Sequence, residues 1–186
     1  MYILKTYSKS LAAVLFAVGT LLLVYSIVTP SKWPTSYNQS VVNKLEQAKQ
    51  RDIQCLAENI YHEARSESVT GQRAVAWVTM NRANDPRYPN SICEVVYQAK
   101  TDSAGRPLRN QCQFSWYCDG SKDVVANKER WEQAVEIAEQ VLQHWGKSPD
   151  PTVGAVMYHA IWMDQRPFWA GSYTRVVRID NHVFYK

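Results

Sequence analysis

The sequence predicts an α+β fold: a helical domain with a small antiparallel sheet, preceded by one N-terminal transmembrane helix. Three observations carry this prediction. Residues 10–28 form an uncharged apolar run. Apolar residues then recur at helical spacing through much of residues 52–146. After Pro149 and Pro151 the pattern turns strand-like and ends on a hairpin signature. Helices first and strands last is an α+β plan.

The first element is "SLAAVLFAVGTLLLVYSIV", residues 10–28. A helix rising ~1.5 Å per residue spans ~28 Å there, close to the hydrocarbon thickness of a bilayer. Its exit, "VTPSKW", offers no small-x-small cleavage site, so an uncleaved signal anchor is expected. Lys5 and Lys9 precede the span, which places the N-terminus in the cytoplasm and the rest outside, in the periplasm of a two-membrane cell. The expected location is the inner membrane, single-pass. Residues 29–51, polar and with Pro30 and Pro34 early, read as a linker and stalk helix. The main domain is expected over residues 52–186.

Within it, Asp52 can cap a helix whose Ile53, Leu56, Ala57, Ile60, Tyr61 and Ala64 form one apolar stripe. A second helix is expected from Thr70 to Arg82, with Ala74, Val75 and Val78 on its buried side. Ser91 caps a short helix, "ICEVVYQ". Residues 99–111 read as a loop, and "CQFSWYC", residues 112–118, as a strand or extended wall. Residues 124–146 read as a long helix stopped by Gly146. "AVMYHAI" is a candidate strand, and Asp180-Asn181 is the turn of a terminal hairpin.

Charge excludes one class of partner. Residues 1–51 carry six Lys or Arg against Glu46 alone, whereas the remainder carries 15 against 16 acids. The overall +4 therefore belongs to the anchor and linker. No nucleic-acid partner is expected. All four cysteines, Cys55, Cys93, Cys112 and Cys118, follow the anchor, which suggests two disulfides in an exported domain, with the pairing open.

The chemistry concentrates in "NIYHEARSES", residues 59–68. At about 100° per residue from Ile53, Glu63 falls near ~280° and Glu67 near ~320°, at the border of the apolar stripe, while His62 falls near ~180° and faces away. A carboxylate at such a border is partly desolvated, so its pKa rises and it suits a general acid. The "HE" start resembles a zinc motif, but the second histidine position is Ser66. No metal and no cofactor are expected. No G-x-S-x-G is present either, so Glu63 is the catalytic candidate. The bland alternative is a solvated charge run in which Glu63 pairs with Arg65.

"CLAENIYHEARSESVTGQRAVAWVTMNR", followed by "RYPNSICEVVYQ", "QFSW" and "TRVVRIDNHVFY", resembles the SleB/CwlJ-type cell wall hydrolases. The resemblance covers nearly all of residues 54–185, with Ser66 and Asp180 where that family commonly has glycine. It implies a lysozyme-like catalytic domain that cuts the glycan of peptidoglycan between N-acetylmuramic acid and N-acetylglucosamine, as a lytic transglycosylase with Glu63 as acid and base. Glu67 or Asp119 as a second carboxylate would instead make a muramidase-type hydrolase. Gln113, Phe114, Ser115, Trp116, Tyr158 and His159 are the candidate substrate-binding residues, with Trp162, Trp169 and Tyr173 as further stacking faces. Arg65 and Arg82 are expected to brace carboxylates or backbone. The implied partners are peptidoglycan glycan strands and, through residues 10–28, the membrane. Two other readings stay open: a phage endolysin of the same fold, and a non-catalytic glycan-binding envelope protein.

Overall fold

The structure is a computed structural model that describes residues 35–162 and 167–186. The chain divides into two compact units, residues 1–45 and 46–186; of the first, the described residues are the opening turns of helix α1. The anchor expected at residues 10–28 lies outside the described residues. Among those described, no helix is long and apolar enough to cross a membrane.

The second unit is a helical domain with two small antiparallel sheets. Helix α1 (Thr35–Ala64) is followed by α2 (Val69–Ala83) and α3 (Ile92–Val96). Strands β1 (Ala99–Thr101) and β2 (Pro107–Cys112) form a hairpin that leads into a 3-10 turn, Ser115–Cys118. Helix α4 (Lys128–His144) precedes β3 (Met157–Ala160), a second 3-10 turn (Phe168–Gly171), β4 (Arg175–Ile179) and β5 (His182–Tyr185). The larger sheet has the order β3-β5-β4, all antiparallel.

The stripe read from the sequence is the core face of α1. Ile53, Leu56, Ala57, Ile60 and Tyr61 pack with Ala76, Trp77 and Met80 of α2, Val95 and Val96 of α3, and Ala134, Ile137, Ala138 and Val141 of α4. The opposite flank of α2, Ala74 and Val78, packs on Ala155 and on Phe184 of β5. Helix α2 thus lies between the helices and the sheet, with residues buried on both flanks. Ser68 and Ser91 cap α2 and α3 by accepting from the Gly71 and Glu94 amides. The cysteines pair as Cys55–Cys93, tying α1 to α3, and Cys112–Cys118, closing the loop that contains "QFSWY".

Four local expectations need correction. Helix α1 is already running by Thr35, so Asp52 lies inside it and caps nothing; residues 38–51 are exposed. Residues 99–111 are a hairpin rather than a loop, because Asp102 Oδ1 accepts from the Ala104 and Arg106 amides and Gly105 takes φ +78°. Both faces of that hairpin are mostly exposed, so it carries no alternating apolar pattern. The 112–118 segment leaves β2 at Cys112 and winds into the 3-10 turn instead of extending. Helix α4 starts at Lys128, where Asn127 caps it by accepting from the Arg130 amide; residues 124–127 are not helical.

The terminal hairpin turns at Asp180, with φ +47°, and pairs Ile179 with His182. Asp180 does more than turn the chain. Its Oδ2 accepts from the Ser68 amide (2.9 Å) and hydroxyl (2.6 Å), joining the sheet to the start of α2. A glycine there would supply the turn and lose this link. Gly71 answers it from the other side, since a Cβ at that position would run into the Asp180 carboxylate.

Candidate active site

The last turn of α1, the 113–116 segment, strand β3 and His182 border a cleft of about 1230 Å³. Pockets that hold a single drug-sized ligand measure about 300–1,000 Å³. The larger, open volume suits a segment of polymer. All six candidate substrate-binding residues border it, as does Glu63.

Glu63 is the penultimate residue of α1 and is half-buried. Tyr158, on β3, donates its hydroxyl to Glu63 Oε2 at 2.9 Å. Desolvation raises the Glu63 pKa; the Tyr158 hydrogen bond and the Arg82 charge pull it down but do not cancel the rise. Burial, together with the negative charge of Glu63, raises the Tyr158 hydroxyl well above its ordinary range, so it stays a donor. With Oε2 occupied by Tyr158, Oε1 has no hydrogen-bond partner among the described residues and can carry a proton toward a ligand.

Arg82 is buried beneath this pair. Its Nε donates to the Val156 carbonyl at 2.6 Å, and its guanidinium lies 4.9 Å from the Phe114 ring centroid and 5.6 Å from that of Tyr88. It braces backbone, one of its two expected roles, and adds positive charge near Glu63. Arg65 likewise donates to the Tyr61 carbonyl, and among the described residues it forms no ion pair with Glu63. The solvated charge run weighed from the sequence is therefore not what the structure shows at Glu63.

The "QFSW" segment divides by burial. Phe114 is 2% exposed and Trp116 is 8% exposed, both packed in the helical core; Ser115 is exposed and Gln113 half-buried. Phe114 and Trp116 support the wall rather than offering broad faces to a sugar. Trp116 Nε1 donates to Asn59 Oδ1 at 3.1 Å, and Asn59 Nδ2 donates to Thr79 Oγ1 at 3.0 Å. Asn59, fully buried one turn before Glu63, thus fixes the wall to the helix that carries the carboxylate.

On the sheet side, His159 Nδ1 lies 3.0 Å from the Ala160 carbonyl and Nε2 2.9 Å from the Tyr185 hydroxyl. In the neutral ring, Nδ1–H donates and Nε2 accepts. Trp169 packs at steep ring angles against His159 and Tyr185, and both it and the largely exposed Trp162, 6.0 Å from the His182 ring, border the cleft. Tyr173 packs on Trp169 and is half-buried, not among the residues bordering the cleft. His182 is buried, and burial lowers its pKa, so it adds no cation.

Two residues sit where helical phase did not put them. Helix α1 ends at Ala64, so Glu67 belongs to the loop, buried, with its carboxylate accepting from the Asn181 amide and side chain at 3.2 Å. It does not border the cleft, whereas Asp119 does. His62 does not stand free in water: one face of its ring stacks on Trp116, with centroids 4.5 Å apart and an 18° interplanar angle, and the ring stays half-exposed at the cleft. Helical phase measures His62 against the stripe of its own helix alone, and a second element on that flank leaves no mark in the local sequence.

Comparison with known proteins gives a consistent result. A family model described as Cell Wall Hydrolase matches residues 66–185, beginning just past Glu63. The chain is 32% identical over 133 residues to the spore cortex-lytic enzyme of Bacillus subtilis (strain 168), covering 72% of this chain and 37% of that protein. It is 29% identical over 139 residues to the spore cortex-lytic enzyme of Halalkalibacterium halodurans, covering 72% and 34%. The chain thus spans little more than a third of the length of these relatives. The crystal structure of the catalytic domain of the Bacillus cereus SleB protein is similar with a TM-score of 0.52 at 25% identity, covering 74% of this chain and 91% of that one. The catalytic domain of the germination-specific lytic transglycosylase SleB from Bacillus anthracis gives 0.55 at 26%, covering 74% and 95%.

Proposed function

From the premise that the chain belongs to the cell wall hydrolase family, we propose that it degrades peptidoglycan, cutting the glycan between N-acetylmuramic acid and N-acetylglucosamine as a lytic transglycosylase. The observation that carries this is the desolvated Glu63 carboxyl in the cleft, held through one oxygen by Tyr158. Its raised pKa favours the protonated form a general acid needs. Glu63 gives its proton to the glycosidic oxygen as the C1–O bond breaks. The resulting carboxylate takes the proton of the muramyl C6 hydroxyl, whose oxygen bonds to C1. The product is a 1,6-anhydro ring, and Glu63 ends protonated, as it began. Because the nucleophile is intramolecular, high effective molarity replaces an activated water.

The same proposal includes the lysozyme-like character of the domain, a division into an anchor at 1–28, a linker at 29–51 and a catalytic domain at 52–186, and attachment to the inner membrane with the domain in the periplasm. The anchor, linker and location rest on the uncharged run of residues 10–28, the lysines before it and the two disulfides, and the lysozyme-like character on the family resemblance of residues 54–185. A second reading has one observation in its favour: Asp119 borders the cleft and can activate a water, which would make a hydrolase.

Digestion of purified sacculi tests both. Wild type is expected to release 1,6-anhydro muropeptides, and Glu63→Gln to release none while folding normally. Reducing ends would favour the hydrolase, free peptides with intact glycan would point to an amidase, and wild-type lysis by Glu63→Gln would remove Glu63 from the mechanism.

A further inference from the structure

We infer that the His62 ring is a saccharide-contacting surface of the cleft, presented by the Trp116 indole that stacks behind it. The inference rests on the proposed reading of the cleft as a glycan site. His62 borders the cleft beside Glu63 and stays half-exposed, whereas Trp116, at 8% exposure, is almost wholly covered. One His62 face lies on Trp116, at 4.5 Å, and Tyr61 meets the ring edge-on at 5.1 Å. What remains open is turned toward the cleft.

The ring is also held firmly, which a contact surface requires. Trp116 cannot slide, because its Nε1 hydrogen bond to Asn59 continues through Thr79 to the Val75 carbonyl. The Cys112–Cys118 disulfide closes the loop that carries Trp116. Position 62 therefore takes over the stacking role expected of Trp116, with the indole as its backing. Charge is compatible with a neutral sugar: burial lowers the His62 pKa, opposed by Asp123, Glu58 and Asp119 and assisted by Arg65. The lowered pKa favours the neutral ring, which can offer a π-surface together with one N–H donor.

Affinity for a defined glycan tests this apart from catalysis. The full chain carrying Glu63→Gln is titrated with a peptide-free octasaccharide of alternating N-acetylglucosamine and N-acetylmuramic acid, then again with His62→Ala or His62→Phe added. A stacking contact predicts that His62→Ala raises Kd roughly two- to twelvefold and that His62→Phe returns it to within about twofold. Thermal melts run in parallel show that each variant is folded. An unchanged Kd in a folded His62→Ala protein overturns the inference and leaves the glycan reading of the cleft intact. So does a His62→Phe protein that loses as much affinity as His62→Ala. If the Glu63→Gln chain shows no affinity for the octasaccharide while folded, the cleft reading itself falls and this inference with it.

Discussion

One wall of the cleft stands on a sheet whose central strand is buried along its length, and the other on a hairpin that faces water. Strand β5 buries His182, Val183, Phe184 and Tyr185, and its pairing with β3 places Tyr158 opposite Phe184. The 113–116 wall hangs from β2, most of whose residues are exposed, and is secured at a few points: the Cys112–Cys118 bond, the Trp116–Asn59 hydrogen bond and the burial of Phe114. The first wall is held by packing and the second by discrete ties. Perturbation of each should therefore spread differently.

The largest effect is expected from Phe184→Ala. The side chain is fully buried among Ala74, Val78 and Ala155 and tilts against Tyr158 at 5.6 Å. Its removal leaves a cavity between α2 and the sheet and should cost about 3–5 kcal/mol. In urea unfolding the whole domain should shift to a lower midpoint as one transition. Removal of the Cys112–Cys118 link by Cys112→Ser with Cys118→Ser comes next. Closing so short a loop is worth about 2 kcal/mol by chain entropy. Hydrogen exchange should then speed up through residues 99–118 while α1 and β5 keep their protection, and KM on sacculi should rise. Uniform deprotection would mean that the two walls are not held independently.

The same contrast explains what the sequence revealed. The helices and the terminal hairpin were legible because each buries a face, and burial writes a period into the residue order. Val183 and Tyr185, Phe184 and His182 all end up covered because helix α2 lies on one side and aromatic residues on the other. The β1–β2 hairpin buries little, so only its turn residues, Asp102 and Gly105, could have announced it, and they read equally well as a loop. The position of Glu63 at the border of the stripe is legible because its own helix sets it, whereas the Tyr158 bond and the Arg82 charge that tune it come from β3 and α2 and leave no mark nearby. Glu67 was misplaced because α1 stops at Ala64, after which helical phase has no meaning. Asn59 gives no local signal, since a buried Asn on an apolar helix gains its purpose from Trp116, 57 residues away.

A smaller effect is expected at the contact that joins the sheet to the last turn of α1. Tyr158→Phe removes the donor to Glu63 Oε2 and one net hydrogen bond, about 1 kcal/mol of stability. That bond favours the carboxylate, so its loss should raise the Glu63 pKa further. The alkaline limb of kcat/KM on soluble glycan should move to higher pH, and kcat should fall because the carboxyl loses its fixed orientation. An unmoved limb would show that Glu63 does not supply the proton.

The smallest effect isolates the cost of keeping Glu63 desolvated on α1. The Glu63 pKa is raised above its ordinary value of 4.5 in the fold, so the folded state binds more protons than the unfolded state between that value and the raised one. Stability from this group is complete below the unfolded pKa and is lost as pH climbs through the folded pKa. The amide that Glu63→Gln puts in its place does not titrate and avoids that loss. The melting temperature of the variant relative to wild type should therefore be constant in acid, increase through the window, and level off above it. Adding Tyr158→Phe to otherwise wild-type protein should stretch the window upward, since the raised pKa rises again. A difference that shrinks with pH would mean the carboxylate is stabilised in the fold, by Arg82 and Tyr158 together outweighing burial, and would make Glu63 a better base than acid.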